Sequence, residues 1–114
     1  MTKGKVVLVP FPFDDLSTAK VRPAVCLTNP VGPHRHVILA FITSCIPADL
    51  LETDIALDAD QPDFVTTGLR MTSTLRLHRL MTVSTSLIVR ELGELPQAIQ
   101  TQVDEKLRKL FGGK

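Results

Sequence analysis

Pro96-Gln97-Ala98-Ile99-Gln100-Thr101-Gln102-Val103-Asp104-Glu105-Lys106-Leu107-Arg108-Lys109-Leu110 is the stretch where the hydrophobic period of this chain changes, and the reading of the fold turns on it. Ile99, Val103, Leu107 and Leu110 fall on one stripe at helical spacing, while Gln100, Asp104, Glu105, Lys106, Arg108 and Lys109 face away. Pro96 suits a first helical position, basic residues gather in the last turn, and Gly112 can supply a left-handed cap. No other stretch carries so clear a helical period.

Upstream, the punctuation is that of strands. Lys5 to Phe11 is a nearly continuous apolar run stopped by Pro10 and Pro12, the pattern of a strand buried on both faces. Phe13 to Lys20, with Asp14, Asp15, Ser17 and Thr18, reads as a loop, and Val21 to Thr28 as a second strand. Asn29-Pro30-Val31-Gly32-Pro33 breaks the chain before a third strand, His36 to Ile46, and Thr53 to Leu57 is a short fourth. Thr74 to Leu80 alternates, with Leu75 and Leu77 opposite Thr74, Arg76 and His78, until Arg79 falls out of phase; a strand end or a bulge is expected there. Leu87 to Leu92 is short enough to be strand or helix, with strand favoured. Strands followed by one terminal helix predict a mainly β fold, a strongly bent sheet or small barrel closed by that helix.

The chain of 114 residues suits one domain, 1–114, and 44% hydrophobic with 22% charged residues suits a soluble core. No run approaches the length of a membrane span, and Met1-Thr2-Lys3-Gly4-Lys5 leads into a strand without a signal-peptide pattern, so a cytoplasmic protein with no membrane partner is expected. Cys26 and Cys45 sit in apolar runs without metal-ligand or redox spacing and read as reduced core residues. A net charge of +1 gives no strong polyanion signal, but its distribution is uneven. Ile46 to Phe64 holds six acidic residues and no Lys or Arg, whereas Val65 to Arg90 holds Arg70, Arg76, Arg79 and Arg90 and no acid. Such a segment could be an ordinary solvated face or one placed to meet phosphates.

No P-loop, dinucleotide fingerprint, zinc-peptidase motif or nucleophile elbow is present. His34 and His36 supply two metal ligands at best, so neither a metal nor another cofactor is expected. What remains is Arg22, Thr43, Ser44, Arg76 and His78, each at the border of an apolar run. Guanidinium groups fork onto phosphate, hydroxyls donate to its non-bridging oxygens, and imidazole moves a proton near neutral pH. Those are the groups needed to cleave RNA through attack of a ribose 2′-hydroxyl on the adjacent phosphorus. On the residues alone the structural roles are favoured: Arg22 could pin the loop through Asp14 or Asp15, Thr43 and Ser44 could end a strand, and Arg76 and His78 could be a solvated strand face. Thr43 and Ser44 cannot both point into one pocket from a regular strand; one must act through its backbone, or the strand must turn.

Gly4-Lys5-Val6-Val7-Leu8-Val9, Arg22-Pro23, Thr43-Ser44, Gly68-Leu69 before Ser73, Thr82, and Val103-Asp104-Glu105-Lys106-Leu107 occur in an order, over nearly the whole chain, that resembles the MazF/PemK toxins. The resemblance implies an SH3-like barrel with a terminal helix and a homodimer. It also implies metal-independent, sequence-selective cleavage of single-stranded RNA, and a cognate antitoxin protein that blocks the RNA groove. By that resemblance Arg22 matches the family's phosphate-handling arginine, and Thr43 and Ser44 its hydroxyl pair. In the PemK branch an Arg-x-Asp serves the chemistry; here Arg76-Leu77-His78 keeps the arginine and replaces the carboxylate by imidazole. The unperturbed His pKa of about 6.5 makes His78 the expected base, with Arg22 and Arg76 as charge stabilisers. Phe13, Lys20, Arg70 and Arg79 are the further candidates for contacting RNA. The same barrel is used by CcdB-type toxins, which act on DNA gyrase by protein contact; this and a non-catalytic binding module are the alternative readings.

Overall fold

The computed structural model describes residues 2–11 and 20–113. Six strands precede one helix: β1 Lys5–Phe11, β2 Lys20–Cys26, β3 His36–Thr43, β4 Asp54–Leu57, β5 Ser73–Ser84, β6 Arg90–Glu94 and α1 Gln97–Leu110. They form one antiparallel sheet in the order β4-β5-β3-β2-β1-β6, curled into a half-barrel. Phe13 and the rest of the expected loop before Lys20 lie outside the described residues.

β1 reads as continuously apolar because both of its faces are covered. Val6, with Val25, Ile42, Leu75 and Leu77, belongs to an apolar cluster that Leu95 and Val103 complete. Val7 and Val9, with Ala24, Cys26, Val37, Leu39, Val83 and Ile88, form another. Each such side chain removed from water contributes about 1.5–3 kcal/mol. Burial pushes the Cys26 thiol up to about 11, while Cys45 is exposed rather than part of the core.

The helical stripe packs where its period places it, with Val103 buried and Ile99 and Leu107 partly buried against the first cluster. Pro96 is the N-cap, one position before its expected place. At the far end Gly112 adopts φ 84°, its N–H donates to Lys109 O at 3.0 Å, and Gly113 N–H donates to Arg108 O at 2.7 Å. These are the paired bonds of a glycine-terminated helix.

The break at Arg79 is a bulge. Ala40 pairs with Leu80 but its neighbour Phe41 pairs with Arg76, so Leu77, His78 and Arg79 face no residue of β3. β5 then continues to Ser84, beyond the expected Leu80, because the first half of β3 remains to be paired. β3 stops at Thr43 rather than Ile46: the Thr43 Oγ1 accepts a hydrogen bond from Cys45 N–H at 3.1 Å, turning the chain and leaving Ile46 exposed. In the expected run Leu87 to Leu92, Leu87 ends a 3-10 turn and the strand starts at Arg90.

The curl is held by a close backbone contact. A 3-10 turn, Phe64–Thr67, leads from β4 towards β5 and lies against β6, with Thr66 Oγ1 donating to Glu94 O at 3.2 Å. Gly68, at φ 74°, approaches Leu92 so closely that a Cβ would overlap the Leu92 carbonyl; a Cβ on Gly93 would overlap the carbonyls of Thr66 and Thr67. Two glycines let the turn and the edge strand meet without side chains between them.

Candidate functional site

β2 pairs with β3 only through Ala24, Val25 and Cys26; its first half, Lys20 to Pro23, pairs with β1 alone. Counted by strand alternation from the pair Ala24↔Phe41, Arg22 and Thr43 fall on the same face of their strands, and Thr43 pairs with Thr74. Phe41 pairs with Arg76, and Arg76 with Asp54. Positions two apart share a face, so Arg22, Thr43 and Arg76 lie on one face of three neighbouring strands.

Arg76 is already half engaged. Its Nε donates to Asp54 Oδ1 at 3.1 Å and its Nη2 to Oδ2 at 3.3 Å, and the Asp54 side chain is wholly buried. Asp54 Oδ2 also accepts from Leu51 N–H at 2.9 Å. The fork occupies Nε and Nη2 and leaves the Nη1 amine outside it. His78 and Arg79 follow on the bulge and are both exposed. His34 and His36, with ring centroids 6.0 Å apart, lie at the opposite end of β3, about 23 Å from Thr43 at 3.3 Å per residue. Among the described residues no three His, Cys, Asp or Glu side chains are grouped to hold a metal.

Where β2 and β3 part, a groove of about 290 Å³ opens. Leu8, Pro23, Ile42, Leu69 and Leu92 give it apolar surface, and Arg22, Ser44, Arg70 and Arg90 give it polar edges. The two adjacent hydroxyls part at the end of β3: Thr43 ends the strand on the face shared with Arg22 and does not line the groove, whereas Ser44, just past the end, does. The groove and the arginine face meet at Arg22 and Thr43-Ser44.

Of the residues singled out in the sequence, Arg22, Ser44 and Arg70 line the groove, while Thr43, at the end of β3, and Arg76, His78 and Arg79, on β5, do not. Lys20 is exposed at the start of β2, and Phe13 lies outside the described residues. The residue missed is Arg90. Its signal was its membership of the acid-free basic segment, but only the pairing of Arg90 with Leu8, and of Leu8 with Pro23, brings it to the groove. The Arg70 and Arg90 side chains are exposed and make no ion pair or hydrogen bond within the described residues, and no described carboxylate lines the groove. Exposed Val21, Met71 and Val89 each adjoin one of the three groove arginines. Cationic edges around an apolar floor suit an anion that also carries planar, weakly polar groups.

The sequence matches, over residues 2–111, the family described as PemK-like, MazF-like toxin of type II toxin-antitoxin system. Among solved structures, the fold is similar to the toxin MazF-mt6 of Mycobacterium tuberculosis, with a TM-score of 0.72 and 20% identity over 96% of this chain and 98% of that one. MazE-MazF (Form-II) of Deinococcus radiodurans gives 0.75 and 19%, covering 100% and 97%. An endoribonuclease in complex with its cognate antitoxin, from a mycobacterial species, gives 0.71 and 15%, covering 98% and 95%. At these identities the likeness to solved structures is one of fold. No curated protein is similar enough in sequence to match.

Proposed function

The chain belongs to the PemK-like, MazF-like toxins of type II toxin-antitoxin systems, and from that premise we propose that it is an endoribonuclease that cuts single-stranded RNA, with the scissile phosphate held at Arg22 and Thr43-Ser44. The observation that carries this is the groove itself: Arg22 and Ser44 share it with two arginines that no described group neutralises. Like charges gathered around one small space are relieved by a polyanion.

The chemistry follows from the side chains. A base removes the proton of the ribose 2′-hydroxyl, the 2′-oxygen forms its bond to phosphorus, and the 5′-oxygen leaves and takes a proton from solvent. The products are a 2′,3′-cyclic phosphate and a 5′-hydroxyl. Arg22 and the Nη1 amine of Arg76 balance the charge of the pentacoordinate phosphorus, and the Thr43-Ser44 hydroxyls donate to its non-bridging oxygens. The described groove lining offers neither imidazole nor carboxylate, and His78, two residues beyond Arg76, is the imidazole on the adjoining strand. We assign the base to it.

Partner assignments belong to the same proposal. Relatives of this fold have been solved with antitoxins, and an antitoxin segment with acidic and apolar side chains would complement both the edges and the floor of the groove. The toxin acts as a homodimer in the cytoplasm, where its messenger substrate is. No helix among the described residues is long and apolar enough to cross a membrane.

The test is incubation of the purified protein, and of Arg22→Ala and Ser44→Ala variants, with a long single-stranded RNA in EDTA, followed by mapping of the ends. Discrete cuts bearing cyclic or 3′-phosphate, reduced at least a hundredfold in Arg22→Ala, are expected. A folded wild-type protein that leaves the RNA intact overturns the reading and points to toxicity by protein contact.

A further inference from the structure

We propose that Arg70 and Arg90 form a second phosphate subsite, which holds the phosphate next to the one that is cleaved. The proposal rests on the reading of the groove as an RNA site. The two arginines rise from the same seam: Gly68 lies against the Leu92 backbone, Arg70 is two residues beyond Gly68, and Arg90 is two residues before Leu92. The contact is backbone to backbone, so the spacing between their Cα atoms is fixed by the fold rather than by flexible side chains.

Arg22 is not placed to share their phosphate. On β1, Val9 pairs with Arg22 and Leu8 with Arg90, and adjacent strand positions point to opposite faces. The two strands flank β1, which sets Arg22 and Arg90 two strand spacings apart, about 10 Å between Cα atoms. Arg22 and Arg90 therefore approach the groove from different sides. Arg70 stands on the side of Arg90.

Their state of pairing distinguishes them from Arg76. Arg76 is forked onto the buried Asp54 carboxylate, whereas the guanidiniums of Arg70 and Arg90 make no ion pair or hydrogen bond within the described residues. Two neighbouring guanidiniums repel each other, and an anion bridging them removes that repulsion and gains charge-assisted hydrogen bonds from both. Apolar Leu69 and Leu92 lie beside them as a surface for the sugar or base between the two phosphates.

The experiment couples one arginine to one phosphate. A short single-stranded RNA with one cut site is prepared with a single neutral methylphosphonate at each flanking position in turn, and cleaved by wild type, Arg70→Gln and Arg90→Gln. Neutralising one adjacent phosphate is expected to lower wild-type kcat/KM about tenfold through KM. Each variant should lose about tenfold on natural RNA and show no further loss on that one modified RNA. The same walk in a non-cleavable 2′-O-methyl oligonucleotide, read as affinity by fluorescence anisotropy, should show the same coupling. Independent, multiplying losses at every position overturn the subsite, as does coupling of Arg90→Gln to a change of base rather than of phosphate. Coupling in the affinity walk without any cleavage keeps the phosphate subsite and overturns the endoribonuclease reading alone.

Discussion

Arg76 and His78 stand two residues apart on one strand, yet removing them should have different consequences. The Asp54 carboxylate is wholly buried, and among the described residues Leu51 N–H and the Arg76 fork compensate its charge. Arg76→Ala strips the fork; because the Arg76 side chain is 23% exposed, the expected destabilisation is about 2–3 kcal/mol, below the cost of breaking a fully buried pair. His78 is exposed and makes no hydrogen bond or ion pair within the described residues, so His78→Ala should change stability by no more than about 0.5 kcal/mol. If it is the base, its loss slows cleavage by about 10²- to 10⁴-fold. Denaturant melts and single-turnover rates on both variants separate the two roles. Equal turnover by His78→Ala and wild type removes the base assignment, and a loss confined to unfolded Arg76→Ala protein makes that arginine a structural member.

At the scale of elements, the seam between the 3-10 turn and β6 carries both the curl of the sheet and the wall of the groove. Gly93→Ala should be costly although Gly93 is not in a left-handed conformation, since its Cβ would meet the carbonyls of Thr66 and Thr67. Overpacking of this kind typically costs about 1–3 kcal/mol, which corresponds to a fall in Tm on the order of 10 °C at this chain length. A thermal melt checks it, and a Tm within 2 °C of wild type would mean that the turn detaches freely from the strand. This seam also marks the limit of what the sequence made legible. The stripe Ile99, Val103, Leu107 is a local pattern and was readable, as was the phase break at Arg79, because both depend on neighbours within a few residues. The end of β3 was not: Cys45 and Ile46 resume the apolar run after Thr43-Ser44, and the Thr43 side chain turns back to accept from Cys45 N–H. Arg90 was not readable as a groove residue, since its position follows from pairing with Leu8, more than eighty residues earlier in the chain. Arg22 and Thr43-Ser44 were nominated from their chemistry and their resemblance, and the register places Arg22 and Thr43 on a common face.

For the whole molecule, the balanced charge conceals a segregated one. The acid-free segment from Val65 to Arg90 supplies Arg70 and Arg90 to the groove, while its Arg76 is partly neutralised by Asp54 from the acidic segment before it. A net charge of +1 therefore understates the attraction for a polyanion at one place on the surface. If Arg22 neutralises one phosphate and Arg70 with Arg90 the next, the log of RNA affinity should fall with the log of salt concentration with a slope of about −1.4, at roughly 0.7 per phosphate for a single strand. Between 50 and 200 mM salt that is about a sevenfold loss. Anisotropy titrations with a non-cleavable single-stranded RNA measure it directly. The Arg70→Gln, Arg90→Gln double variant should bring the slope to about −0.7, the single contact left at Arg22. A wild-type slope near zero would mean that the groove binds something other than phosphate. A slope of about −1.4 that the double variant keeps would put the phosphate contacts elsewhere on the molecule, with the exposed Arg79 and Lys20 next in line.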